Sequence, residues 1–245
     1  YSGLADAALM AKDYPDCDLY HPWDITPEQA IDKAKDCEEQ ARAVDKRIIN
    51  SDGATINTHE ALHVYGNSHG FIGSYASSYH SVNCVLVAQD KEGMQRDGWY
   101  TAARDEHELE KMTSVARKAG ERTVQRLGSR KLKTCKAPVI FVAEAAAGLL
   151  HNFLSAISGG SLYRRSSFLL DHLGKPVFAK HMQLHERPHV AKAMGSTPFD
   201  SEGVATRNRE LVIDGVLQGY ILGSYSARKL GMQTTGNAGG AHNIY

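Results

Sequence analysis

Three histidines, His181, His185 and His189, recur at intervals of four, a spacing that would stack three imidazoles on one helix face and offer them to a metal ion. Pro188 stands between the second and third and would break such a helix. With Lys180, Glu186 and Arg187 around them, these residues read as an exposed connector. A second place for chemistry is Glu144, an acid at the junction of an apolar run, residues 139–142, and a small-residue helix. A strand feeding a buried helix, with one acid at the joint, is an arrangement that catalytic sites use. His59, His63, His69 and His80 fall in strand-like sequence. Their spacings match no zinc signature, and the polar faces of strands often carry such residues. Cys17, Cys37, Cys84 and Cys135 form no C-x-x-C pair and read as reduced, buried thiols. Ser226 lacks the G-x-S-x-G turn that would expose a serine nucleophile.

These residues need elements to hold them. In residues 137–177, Leu149, Leu150, Phe153, Leu154 and Ile157 recur at helical spacing, and the Gly159-Gly160 pair reads as the stop of that helix. Thr26-Pro27-Glu28-Gln29 is a helix start. Thr26 caps, Pro27 suits the first turn, and Gln29 completes a capping box. Ala30, Ala34, Cys37, Ala41 and Val44 then make one apolar stripe. Residues 47–104 change period and read as an antiparallel meander of about five short strands, punctuated by Asp52-Gly53, Gly66-Asn67, His69-Gly70 and Glu92-Gly93. Residues 105–127 return to helix, with Met112, Val115, Ala116, Ala119, Thr123, Val124 and Leu127 on one face. The basic cluster Arg126, Arg130, Lys131, Lys133 and Lys136 has no interleaved aromatics and reads as a solvated connector. Asp214-Gly215 is the turn of a hairpin, and residues 224–230 form a short helical turn ending at Gly231.

The fold this predicts is α+β: an antiparallel sheet with amphipathic helices, followed by the start of a second, β-rich domain. Residues 1–135 would be part of the first domain and residues 136–245 the opening part of the second. The chain starts at Tyr1 and stops in the glycine-rich GNAGGAHNIY with no closing element, so it reads as an internal piece of a longer protein. Lysine plus arginine balance aspartate plus glutamate at 28 each, which gives no electrostatic reason to expect nucleic acid as a partner. No apolar run approaches the roughly 18 residues of a membrane span.

The segments VYGNSHG, RKLKTCKAPVIF, ISGGSLYRRSSFLLDHLGKPV, STPFDSEGV, SYSARKLG and GNAGGAHN together resemble the TldD/PmbA family, and most closely its PmbA (TldE) branch. The resemblance implies a cytoplasmic bacterial peptidase assembly of two related subunits, a heterodimer or higher. It acts on unfolded peptides, in roles that include maturing a peptide antibiotic and removing an antitoxin. In the TldD-type subunit the resemblance implies a zinc site, His-Glu-x-x-x-His on a helix plus a later cysteine, with the glutamate as general base on a metal-bound water. Laid on this chain, that motif falls on Ala143, Glu144, Ala145, Ala146, Ala147 and Gly148. Both histidine positions are gone. His151 does not replace a ligand, and Glu144 is left as a vestigial acid that the helix dipole stabilises.

The expected function is therefore a subunit of a TldD-TldE type zinc metallopeptidase without its own zinc site and with no cofactor in this chain, the zinc residing in a TldD-type partner. Two alternatives stand beside it. One is a regulatory protein-binding module, in keeping with the family's older label of DNA gyrase modulator. The other is an independent metallopeptidase built on His181, His185 and His189.

Overall fold

The computed structural model describes residues 3–245; Tyr1 and Ser2 lie outside the described residues. The chain divides into two compact units. The first comprises Tyr20–Ala61 and Ala76–Lys136, and the second residues 3–19, Leu62–Tyr75 and Ala137–Tyr245. Both are mixed α and β with antiparallel pairing, so the α+β class holds.

In the first unit, helix α1 (Pro27–Arg42) opens with the expected capping box. Thr26 Oγ1 accepts from the Gln29 amide, and the Gln29 side chain accepts from the Thr26 amide. Its stripe points inward, with Cys37 and Ala41 fully buried. Helix α2 (Met112–Gln125) buries Val115, Ala116, Ala119 and Thr123. The two helices share a core with Ile48, Val82, Cys84, Leu86 and Ala88 of the sheet.

That sheet has three strands, β1 (Ile48–Gly66), β2 (Ile72–Asp90) and β3 (Gly93–Ala103), in the order β1-β2-β3. The expected five-strand meander is corrected to three because Asp52-Gly53 is not a turn, and Gly66-Asn67 and His69-Gly70 belong to a single one. Gly53 takes φ +103° inside β1, and Ser51 Oγ accepts from its amide while donating to Val85 O. The Asp52-Gly53 pair is thus absorbed as an irregularity in a continuous 19-residue strand. The turns at residues 67–71 and at Glu92-Gly93 do form.

In the second unit, strands β4 (Leu184–Arg187), β5 (Arg209–Ile213), β6 (Val216–Leu217) and β7 (Asn243–Ile244) pair in the order β6-β5-β4-β7. The Asp214-Gly215 hairpin and the short helix α5 (Ser224–Lys229) form as the sequence predicts. Helix α3 (Ala143–Ala156) packs by its C-terminal half only. Phe153, Ala156 and Ile157 join Leu162, Leu184, Leu211, Val212, Leu217 and Leu222 in the core, while Leu149 is exposed. A separate cluster gathers Met10, Phe71, Phe199 and Val204, with Tyr14, Tyr65 and Tyr75 against it.

Five further expectations are corrected. Residues 139–142 form no strand; they are exposed, with Ile140 at 93%. An apolar run becomes a strand only against a neighbouring ladder, and no described residue pairs with it. Gly159-Gly160 does not end α3 but opens another helix, α4 (Gly159–Tyr163), capped by Ser158. Gly159 is required there, since a Cβ would lie 2.1 Å from Ser226 Oγ of α5. Residues 180–194 are neither helix nor exposed connector, because they contain β4, whose Glu186 is 0% exposed. The glycine-rich tail has a closing element: β7 pairs with β4, Glu186 opposite Ile244 and Arg187 opposite Asn243. Of the cysteines, Cys17, Cys37 and Cys84 are buried, but Cys135 is exposed.

Candidate functional site

Glu144 stands in the first turn of α3, next to Ala143 and four residues before Gly148, all three exposed. Val142 precedes them without a side-chain cap. The acid therefore suits the positive end of the helix dipole. A Cβ added at Gly148 would meet nothing within 4 Å, so the backbone has room for a ligand side chain there. What is missing is the donor. A methyl group and a hydrogen have no lone pair for zinc, and among the described residues no group of three or more His, Cys, Asp or Glu is gathered to hold a metal. The side chains at 143 and 148 do not fit the metal that the resembled motif would hold.

His181, His185 and His189 are not brought together. The segment is extended around β4, so its side chains alternate rather than stack. His181 is exposed. His185 Nδ1 bonds Glu210 Oε2, while Glu210 Oε1 accepts from Arg187 Nη2 at 2.8 Å. These two partners hold the Glu210 carboxyl below its ordinary range. His189 Nε2 meets Thr206 Oγ1 at 2.7 Å. The earlier histidines are dispersed too. His80 is fully buried between Thr58 Oγ1 at 2.9 Å and His21 O at 2.8 Å. His63 stacks on Tyr75, His69 meets Ala5 O at 3.1 Å, and His59 is exposed. Ser226 Oγ donates to Gly223 O at 3.0 Å, a helix-terminus bond rather than a nucleophile's setting.

The most developed polar cluster centres on Glu186, which sequence reasoning placed on the surface. Its Oε1 accepts from Asn237 Nδ2 (2.7 Å), from the His242 amide (3.0 Å) and from His242 Nδ1 (3.0 Å). Arg209 Nε stands 3.7 Å from Oε2, which has no hydrogen-bond partner among the described residues. Arg209 donates to Asn237 Oδ1 at 2.6 Å and to Tyr220 O at 2.7 Å. Burial pushes the Glu186 carboxyl up, but His242 and Arg209 outweigh it and hold the group below its usual range. Burial lowers Arg209 in turn. Beside them, Asp200 accepts from the amides of Glu202, Val204 and Ala238, and burial raises its carboxyl despite those donors. Together these two acids pin the glycine-rich residues 236–240 and strand β7. The arrangement is a clamp: it holds backbone, and it presents no nucleophile. The signal in the sequence was the alternation Leu184, Glu186, Pro188, which puts the acid on the inward face of a strand.

Residues 20–127 match the PmbA/TldA metallopeptidase central domain, and residues 134–245 its C-terminal domain. The chain is 48% identical over 242 residues to a metalloprotease PmbA homolog of Haemophilus influenzae, covering 99% of this chain and 54% of that protein. It is 46% identical over 242 residues to metalloprotease PmbA of Escherichia coli O157:H7, with the same coverage of 99% and 54%. A solved structure from Bacteroides thetaiotaomicron, described as a candidate modulator of DNA gyrase, superposes with TM-score 0.92 at 29% identity over 99% of this chain and 56% of that one. TldE from Thermococcus kodakarensis shares the fold, with TM-score 0.72 at 22% identity over 100% of this chain and 56% of its own. The chain thus spans about half the length of the relatives it matches.

Proposed function

We propose that this chain, which belongs to the PmbA/TldA metallopeptidase family, forms the non-catalytic half of a two-subunit peptidase. Its partner would be a TldD-type chain that carries the zinc and the catalytic base, and the pair would act on unfolded peptides in the cytoplasm. No described helix is long and apolar enough to cross a membrane.

The observation that carries this reading is the pair Ala143 and Gly148 on either side of Glu144. A general base acts on a water that a metal has made acidic, and without ligands Glu144 has no such water to deprotonate. The helix is kept and its chemistry is not, which fits a subunit retained for shape and for binding.

The test is to purify the full-length protein alone, measure its zinc content by mass spectrometry, and assay cleavage of an unfolded peptide before and after adding a TldD-type chain. The expected result is no stoichiometric zinc and no cleavage alone, with cleavage on mixing. Stoichiometric zinc together with cleavage by the lone protein would overturn the reading. A regulatory role is the second reading, favoured by the description of the Bacteroides structure as a candidate gyrase modulator. Recovery of gyrase rather than a TldD-type chain in a pull-down would support it.

A further inference from the structure

We infer that the outer end of strand β1, Leu62 to Gly66, is a docking edge for an extended peptide, which adds to the sheet as a further strand. This rests on the proposed function for the identity of the peptide and assigns the place where this subunit holds it.

Among the described residues, strand β1 pairs with β2 on one side and no strand pairs with its other edge. The Asn67 amide donates to Phe71 O at 3.0 Å, and His63 stands opposite Tyr75 in the same register. In an antiparallel ladder, alternate residues turn their backbone groups toward the neighbour. Asn67 faces β2, so Gly66, Val64 and Leu62 turn their N–H and C=O groups outward. Among the described residues, none of these three backbones makes a hydrogen bond outside the ladder. The side chains divide by the same alternation. Tyr65 joins Phe71, and His63 stacks on Tyr75, on the aromatic face. Leu62 and Val64 stand on the opposite face, 72% and 64% exposed. Ile72, 80% exposed, lies beside them, its Cγ1 3.6 Å from where a Gly66 Cβ would be.

An exposed ladder flanked by apolar side chains is the arrangement that native sheets usually blunt with charge, proline or a bulge. Residues 62–66 contain no lysine, arginine, acid or proline. The edge therefore fits a polypeptide in extended conformation with apolar residues at alternate positions, main-chain bonds giving affinity and side chains giving preference. Size decides between peptide and subunit. Three such side chains offer on the order of a few hundred Å² of apolar surface, the scale of a small functional patch. A stable interface between subunits needs roughly 800 Å² from each partner. A short extended segment is what this edge accommodates.

The probe is a fluorescein-labelled ten-residue peptide of alternating valine and threonine, titrated by anisotropy against the full-length protein. A counterpart peptide carries N-methyl groups on every valine. The decisive variant is Val64→Pro. It removes one outward N–H and keeps an apolar side chain, and proline is tolerated on a strand edge where the N–H faces solvent. Leu62→Lys combined with Ile72→Lys is the second variant. The expected result is at least tenfold weaker binding for Val64→Pro, for the double lysine variant and for the N-methylated peptide, with unchanged circular dichroism. Wild-type affinity in Val64→Pro, or equal affinity for the N-methylated peptide, would overturn the inference. So would concentration-dependent self-association through this edge without peptide binding. Cleavage by the mixed assembly with normal peptide binding to Val64→Pro removes this inference alone. Binding through the edge without cleavage by any assembly removes the functional reading alone.

Discussion

Glu186 of β4 and His242, fifty-six residues further along the chain, meet through a 3.0 Å bond between Oε1 and Nδ1 inside the second unit. A carboxylate accepts, so this bond needs the tautomer with the proton on Nδ1. The same oxygen takes the His242 amide and the Asn237 side chain. One buried acid thus orders a glycine-rich segment and the strand that closes the sheet.

Replacing Glu186 by alanine should leave Arg209 buried without its counter-charge, and the two His242 donors and the Asn237 amide without the oxygen they share. Removing one partner of a buried charge pair costs about 3–5 kcal/mol. The loss should appear as a lower urea midpoint in Glu186→Ala. Glu186→Gln keeps an acceptor oxygen and should cost less, about 1–3 kcal/mol. Equal midpoints for wild type and Glu186→Ala would show that the cluster contributes nothing.

The pH dependence follows from the same carboxyl. Its folded-state pKa lies below the unfolded value, so its stabilisation is present above the ordinary glutamate range, about 4.3. It is lost as pH falls through the lowered value. Asp200 has the opposite sign. Its raised pKa favours the folded state below the aspartate range, and that contribution is lost as pH rises through the raised value. Stability measured from pH 6 down to 3 should therefore fall less steeply in Glu186→Gln than in wild type, and more steeply in Asp200→Asn.

Two glycines of the α3–α4 segment should respond in opposite directions to alanine. At Gly159 the new methyl would lie 2.1 Å from Ser226 Oγ, an overpacked contact costing about 1–3 kcal/mol. Adding Ser226→Gly should recover part of that loss. At Gly148 a methyl meets nothing within 4 Å and the residue is helical, so Gly148→Ala should stabilise by roughly 0.5–1 kcal/mol. Thermal melts of the three variants check both signs.

Thr26→Ala should cost about 1 kcal/mol, because the Gln29 amide loses its acceptor at the start of α1. Thr26→Ser keeps the hydroxyl and should melt close to wild type. Equal melting temperatures for the alanine and serine variants would remove the capping account.

Glu144→Gln tests whether the acid on α3 has any catalytic part. Its expected effect on peptide cleavage by the mixed assembly is less than twofold. Loss of the dipole interaction should cost only about 0.3–1 kcal/mol. A hundredfold loss of cleavage at unchanged stability would assign Glu144 to the chemistry.

Local rules were legible wherever a few neighbouring residues settle the conformation. The capping box at Thr26 and Gln29, the buried face of α2 and the Asp214-Gly215 turn depend on bonds made within four residues or on one periodic stripe. The rest depended on partners far away in the chain. Asp52-Gly53 has the composition of a turn, and only the 19-residue pairing with β2 makes it an irregularity in a strand. Residues 139–142 have the composition of a strand, and no described ladder receives them.

The chemistry missing at residues 143 and 148 was decided by side-chain type alone, since neither a methyl group nor a hydrogen binds zinc in any fold. The alternation Leu184, Glu186, Pro188 only hinted at the burial of Glu186, and tertiary structure decided it. An acid between His185 and Arg187 reads as surface unless its counterparts are known. Those counterparts, Arg209, Asn237 and His242, are supplied from 23 to 56 positions later in the sequence. Burying a charge costs several kcal/mol without partners and is tolerated with them, so the same residue belongs outside or inside according to what the fold brings to it.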